Sequence, residues 1–247
     1  MKKYIYNIDI STKILLFYQP IVYSNNFNDV YKYEALVRLK GENHEIHCPD
    51  EFLPIIKEYD LYDFLNIIVL EKALQKLLSE PNINISVNIC FSHLVKKEIQ
   101  SKIKNLLLAA GVNVCSRLTF ELLETYNVKD YLVLKNFISA IRLQGCKIAI
   151  DDFGTGFSNY SHLLNIEFDY LKIAGELIKE IKNNQKNLDI LESIILFCNN
   201  QNIKIIAEYV ETEEIALTLH HMGVEFLQGY YFSKPQEHTN YEKVYNG

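Results

Sequence analysis

Asp151 and Asp152 stand side by side after the apolar run Lys147-Ile148-Ala149-Ile150, and Phe153-Gly154-Thr155-Gly156-Phe157 follows them. Adjacent carboxylates at the C-terminal end of a buried strand repel each other and lose hydration unless a cation compensates them. Oxygen-rich sites of this kind suit magnesium and manganese. Gly154 and Gly156 free the backbone for positive φ or for close approach of a phosphate. Alone, the pair reads equally well as a solvated turn punctuated by glycine.

The weight comes from polar residues that close other apolar runs. Asn88 ends Ile83-Asn84-Ile85-Ser86-Val87, Glu121 follows Leu118-Thr119-Phe120, and Lys172 closes Phe168-Asp169-Tyr170-Leu171. Glu208 follows Ile205-Ile206-Ala207, and Gln228 follows Phe226-Leu227. Glu34 and Arg38, four residues apart in another such run, share one side of a pleated strand. Any one of these residues reads alone as a surface group at a strand edge. Converging on one place, the carboxylates would repel strongly, and a two-metal site is the economical remedy. Paired divalent cations suit phosphoryl transfer, because they lower the pKa of water and neutralise charge on the phosphate under attack. In that chemistry Lys172 orients the water or meets the departing alkoxide, while Glu208 binds metal, accepts a proton, or does both. Arg38 and Gln19 would hold phosphate or base edges.

The elements that must position these residues are legible as alternation. Candidate strands lie at Ile14–Ile21, Tyr31–Leu39, Ile83–Ile89, Leu118–Leu122, Lys147–Ile150, Phe168–Ile173, Ile203–Ala207 and Val224–Leu227. Helical spacing marks Pro49–Tyr59, Tyr62–Leu78, Leu94–Ala110, Lys129–Leu143, Leu177–Asn199 in one or two pieces, and Glu213–Met222. Eight buried strands alternating with helices predict a closed α/β barrel, with chemistry at the C-terminal ends of its strands. Tyr23–Asp29 is too short and turn-rich for a crossover helix, so the first two strands should form an antiparallel hairpin. The Asn-rich pieces at Asn25–Asn28 and Asn199–Asn202 read as loops.

Composition bounds the function. The chain has 247 residues, is 49% hydrophobic and carries a formal charge of -6. With Lys and Arg scattered, the electrostatic footprint of a DNA or RNA binder is missing. The apolar stretches are too short to span a bilayer, which predicts a soluble protein with no membrane partner. Cys48, Cys90, Cys115, Cys146 and Cys198 are odd in number and lack CxxC spacing, arguing against a disulfide framework and a structural zinc site. With no secretory apolar core after Met1-Lys2-Lys3, the expected location is the cytoplasm. No linker divides the chain, so a single domain over 1–247 is expected.

Taken together, these residues resemble the EAL-domain family of bacterial cyclic di-GMP phosphodiesterases. The motif that names the family is Glu34-Ala35-Leu36-Val37-Arg38, and the resemblance runs from Tyr18-Gln19-Pro20-Ile21 to Gln228-Gly229-Tyr230-Tyr231-Phe232-Ser233-Lys234-Pro235. Ser86-Val87-Asn88, Phe120-Glu121-Leu122-Leu123-Glu124, Asp151–Gly156, Asp169–Ile173 and Ala207–Thr212 match between them. The resemblance implies a modified TIM (β/α)8 barrel with an antiparallel first strand. It also implies hydrolysis of one phosphodiester bond of cyclic di-GMP to linear pGpG, with two Mg2+ or Mn2+ ions per active site. By position, Glu34, Asn88, Glu121, Asp151, Asp152 and Glu208 would be metal ligands, and Lys172, Glu208 and Glu34 the catalytic group. Gln19, Leu36, Arg38 and Gln228 would contact substrate, and Glu124 would brace the loop after Asp152. A homodimer is also implied. With no Gly-Gly-Asp-Glu-Phe synthase motif in the sequence, a stand-alone domain is expected. The sequence departs from the family pattern at Leu123 (usually Thr), Ala174 (usually Asp) and Tyr209 (usually Gly). The alternative reading is a non-catalytic EAL module that binds the nucleotide or a protein.

Overall fold

In the computed structural model, residues 10–89, 96–123, 131–154, 166–181 and 184–241 are described. Glu124, Thr155 and Gly156 lie outside them. The strands are β1 (Ile14–Tyr23), β2 (Asn26–Lys40), the short β3 (Ile46–His47), β4 (Ile85–Ile89), β5 (Leu118–Leu123), β6 (Lys147–Phe153), β7 (Tyr170–Ile173), β8 (Lys204–Ala207) and β9 (Phe226–Gln228). Between them run α1 (Pro49–Glu58), α2 (Tyr62–Ser79), α3 (Lys97–Ala110), α4 (Val112–Cys115), α5 (Tyr131–Arg142), α6 (Gly175–Lys179), α7 (Gln185–Gln201) and α8 (Glu213–His221).

Pairing runs in the order β1-β9-β8-β7-β6-β5-β4-β2, and β1 also pairs with β2, which closes the barrel. β1 is antiparallel to both neighbours, while the ladders from β2 through β4 round to β9 are parallel. The antiparallel first strand follows from its connection. Ser24 and Asn25 alone separate β1 from β2, which permits a hairpin and no crossover. The turn is therefore tighter than the Asn-rich segment suggests, and Asn26 and Asn28 belong to β2. At the other Asn-rich piece, Asn199 and Asn200 lie in the last turn of α7, and Asn202 closes that helix with φ 55. The region read as one or two helices from Leu177 resolves into α6 and α7.

The strands are apolar on both faces because helices cover the outside and side chains fill the inside. All four residues of β7 are buried, as are three of four in β8. Outside, α2 buries Leu65, Ile68, Val69, Ala73, Leu74 and Leu77. α8 starts where the Thr212 hydroxyl accepts from the Ile215 amide, with Glu213 and Glu214 in its first turn and His220 and His221 in its last, matching the helix dipole at both ends. Asp169, part of the run that closes on Lys172, has a structural task. Its carboxylate accepts from the Ile148 amide at 2.9 Å and pairs with Arg142, pinning the start of β7 against β6. No described helix is long and apolar enough to cross a membrane.

Candidate active site

Every predicted site residue among the described ones lies at the C-terminal mouth of the barrel or on the cleft above it. Register explains how. Glu34 on β2 stands opposite Gln19 on β1 and Ser86 on β4, Asn88 stands opposite Glu121, and Leu123 opposite Asp151. Glu34, Leu36 and Arg38 line one cleft of about 330 Å³ together with Gln19, Glu208 and Gln228, as the pleat requires of alternate residues.

The two aspartates need a further device, since neighbours on a regular strand point to opposite faces. Ile150 pairs with Leu171 and Phe153 with Ile173, so β6 carries two residues where β7 carries only Lys172. This bulge, with Asp152 at φ 58 and Gly154 at φ 107, turns both carboxylates toward the mouth. Oxygens of Asp151, Asp152 and Glu208 consequently lie within 4.8 Å of one another.

Lys172, only 1% exposed, is the hub. Its Nζ lies 2.7 Å from Glu121 Oε2, 2.8 Å from Glu208 Oε1, 2.9 Å from Asp151 Oδ1 and 3.3 Å from Glu34 Oε2. Glu34 also accepts from Asn88 Nδ2 at 2.7 Å and from Gln228 Nε2 at 2.7 Å. Gln228 further donates to Gln19, whose own amide donates to the Ser233 carbonyl. Arg38 is half-buried on the cleft wall, with its guanidinium bonded to the Val37 carbonyl and near the Phe17 ring.

One ammonium does not balance Glu34, Glu121, Asp151, Asp152 and Glu208. Burial pushes the Glu121 carboxyl up to about 8, with Glu34 and Asp151 adding repulsion that outweighs Lys172. Burial also raises Asp151, Asp152 and Glu208 against the pull of Lys172. Glu34 alone falls: burial opposes ionisation, but the Lys172 charge and three hydrogen bonds overcome it. Lys172 is driven well above the usual lysine value, as its carboxylate neighbours outweigh its burial.

Divalent cations fit this donor set. Glu121 Oε1 and Gln228 Oε1 are buried without a hydrogen-bond partner. Asp151 Oδ1 is close enough to Lys172 for an ion pair but is not aligned for a hydrogen bond. Orphaned carboxylate oxygens in a buried, over-acidic cluster are what hard cations satisfy.

Three neighbours were not singled out as site residues from sequence. Lys32, two residues before Glu34, lies inside the barrel beneath the carboxylates. Its Nζ donates to Thr119 Oγ1 at 2.9 Å, and the same two-residue offset places Thr119 below Glu121. Tyr230 lines the cleft. Tyr209, a departure from the family pattern, also lines it, at φ 57. A bulky residue in the left-handed region is strained by about 1–2 kcal/mol. The side chain of Leu123 lies outside the described residues. Ala174, fully buried, is the N-cap of α6 and supplies no side-chain cap.

The EAL domain family matches residues 8–235. The chain belongs to the EAL-domain family. Among its relatives, the cyclic di-GMP phosphodiesterase PdeF of Escherichia coli K12 is 33% identical over 212 residues, 84% of this chain and 28% of that protein. The chain thus spans under a third of the length of that relative. Among solved structures, the PaMucR phosphodiesterase in complex with c-di-GMP superposes with a TM-score of 0.80 at 28% identity, covering 91% of this chain and 92% of that one. An EAL domain protein from Listeria monocytogenes EGD-e gives 0.84 at 26% identity, covering 93% and 92%. As an EAL domain, the chain has the barrel with antiparallel β1 described above.

Proposed function

We propose that this EAL domain is a metal-dependent phosphodiesterase that hydrolyses one phosphodiester bond of cyclic di-GMP to linear pGpG. The observation that carries the reading is the convergence of four carboxylates on the Lys172 ammonium at 2.7–3.3 Å, with a buried Glu121 oxygen left unpartnered, at the floor of a cleft bearing Arg38 and two glutamines. The relatives named for this activity support the same reading.

Glu34, Asn88, Glu121, Asp151, Asp152 and Glu208 would hold two Mg2+ or Mn2+ ions. Such ions lower the pKa of water and neutralise charge on a phosphate. Arg38 pairs with a phosphate oxygen, while Gln19 and Gln228 present amides and Leu36 an apolar surface to the substrate. Water attacks phosphorus and passes a proton to Glu208 as the bond from phosphorus to the sugar oxygen breaks, and the departing oxygen takes a proton from Lys172. The products are one new hydroxyl and one phosphate monoester. In the cation-free site its carboxylate neighbours keep Lys172 protonated.

Chromatography of purified protein incubated with cyclic di-GMP and manganese tests the reading. Conversion to pGpG by the wild type and none by Asp151→Asn is expected. Tight nucleotide binding with no conversion would overturn it in favour of a receptor.

A further inference from the structure

We propose that Tyr209 is a substrate-binding residue of the cleft: its ring forms a fixed wall on which one purine of the substrate stacks. The inference rests on cyclic di-GMP being the ligand. Tyr209 follows Glu208 directly, lines the same cleft as Gln19 and Arg38, and is 54% exposed. A ring that served only to pack the fold would be buried.

The backbone and α6 hold this ring in place. At φ 57 the chain leaves Glu208 in a conformation that large side chains rarely adopt, which projects the ring in a direction an extended residue does not reach. Strain of this kind persists where the surroundings over-determine it, and here they do. A Cβ at position 175 would lie 2.5 Å from both Cγ and Cδ2 of the ring, so only glycine admits it. One helical turn further, Lys179 Nζ lies 3.9 Å from the ring centroid. Gly175 and Lys179, four residues apart, share one side of α6 and hold the ring from there, while 54% of Tyr209 stays exposed. A ring held in this way loses little freedom when a ligand arrives, and aromatic rings stack on any purine face.

The test is equilibrium binding and initial-rate kinetics with cyclic di-GMP. Tyr209→Gly removes both ring and strain, and its Kd and KM should rise about 5- to 150-fold, the range for loss of one base-stacking partner. Its kcat should change far less. Tyr209→Phe should recover the affinity and Tyr209→Leu should not. Gly175→Ala, at a residue that does not line the cleft, should displace the ring and weaken binding, yet add nothing in the Tyr209→Gly background. Affinity of Tyr209→Leu equal to wild type, or an equal effect of Gly175→Ala in both backgrounds, would overturn the proposal. If the wild type binds the nucleotide without cleaving it, the hydrolase reading fails while the Kd series still decides the role of Tyr209. If it does not bind, both fall.

Discussion

Among the described residues, the barrel interior holds two buried lysines in opposite surroundings. Lys172 at the mouth is 1% exposed and touches four carboxylates. Lys32 nearer the base is 2% exposed, with the Thr119 hydroxyl as its hydrogen-bond acceptor and the Tyr170 ring 3.5 Å from its Nζ. Burial pushes Lys32 down to about 7, with Glu121 pulling it partway back, while Lys172 is held well above the usual value. A bulge prepares each end. At the mouth it aims Asp151 and Asp152 together. At the base, Ile21 pairs with Lys32 and Val22 with Val30, so the extra residue Tyr31 joins Lys32 against Tyr170, hydrogen-bonding its hydroxyl and stacking on Phe226. The same backbone device thus gathers anions at one end and aromatic rings at the other. Desolvation is comparable for the two lysines, so the surrounding charges decide which ammonium is stable.

The sharpest way to break this contrast is Lys172→Met, which conserves volume and leaves the carboxylates unopposed. Turnover should fall by about 1000-fold or more. Metal-free stability should drop by about 3–5 kcal/mol, the range for breaking a buried charge cluster. Manganese should restore much of that stability, and urea melts with and without it measure both effects. A metal-free variant as stable as wild type would mean that Lys172 does not hold the acids.

Proton counting sharpens the mouth further. Because burial raises Glu121 to about 8 and raises Asp151, Asp152 and Glu208 as well, the cation-free site retains protons that the unfolded chain releases. These groups therefore lower stability as pH climbs from the ordinary carboxylate range toward about 8. Incoming cations must displace those protons. Manganese affinity should rise from pH 6 to 8, and the calorimetric binding enthalpy should depend on the ionisation enthalpy of the buffer. Flat affinity over that range would contradict the assignment.

The mouth was more legible in sequence than the base, for a physical reason. An acid, amide or lysine that ends an apolar run is conspicuous, and Asn88, Glu121, Asp151, Lys172, Glu208 and Gln228 all announced themselves in this way. The antiparallel first strand was legible because a tight turn excludes a crossover. The bulge at Asp151-Asp152 was not, since an inserted residue leaves no composition signal and pleat alternation argues against adjacent residues sharing a face. Lys32 also passed unnoticed, although its offset of two residues from Glu34 was the available clue. The exposed ring of Tyr209 was visible only as a departure from the family pattern. Its left-handed backbone and its seat on Gly175 depend on contacts between the segment after β8 and α6 that the sequence does not print.

At the base, Lys32→Met should act in the opposite sense to the mouth variant. Replacing a buried charge with an apolar chain of similar volume is neutral or stabilises by about 1–4 kcal/mol. The pH dependence carries the sign. With its folded value near 7, below the usual lysine value of 10.5, Lys32 binds its proton more weakly in the native state than in the unfolded chain. Its penalty is therefore complete below pH 7 and shrinks as pH rises toward 10.5, so that the wild type gains stability over that window. Chemical denaturation from pH 6 to 10 should show that gain in wild type and lose it in Lys32→Met. Identical slopes would mean that Lys32 stays charged in the fold.

Thr119→Val gives the smallest effect and the finest discrimination. It keeps the shape of a β-branched residue but removes the hydroxyl that accepts from Lys32 Nζ. If the hydroxyl serves Lys32, its loss should destabilise wild type by about 1–3 kcal/mol, as expected when a buried donor loses its partner. In the Lys32→Met background there is no donor to strand, and the same substitution should be nearly neutral. The difference between the two is the coupling energy of the base pair. Coupling near zero would leave the Tyr170 ring as the group that holds Lys32. The contrast between the two ends of the barrel would then be one of carboxylates against an aromatic face, with no hydrogen bond required at the base.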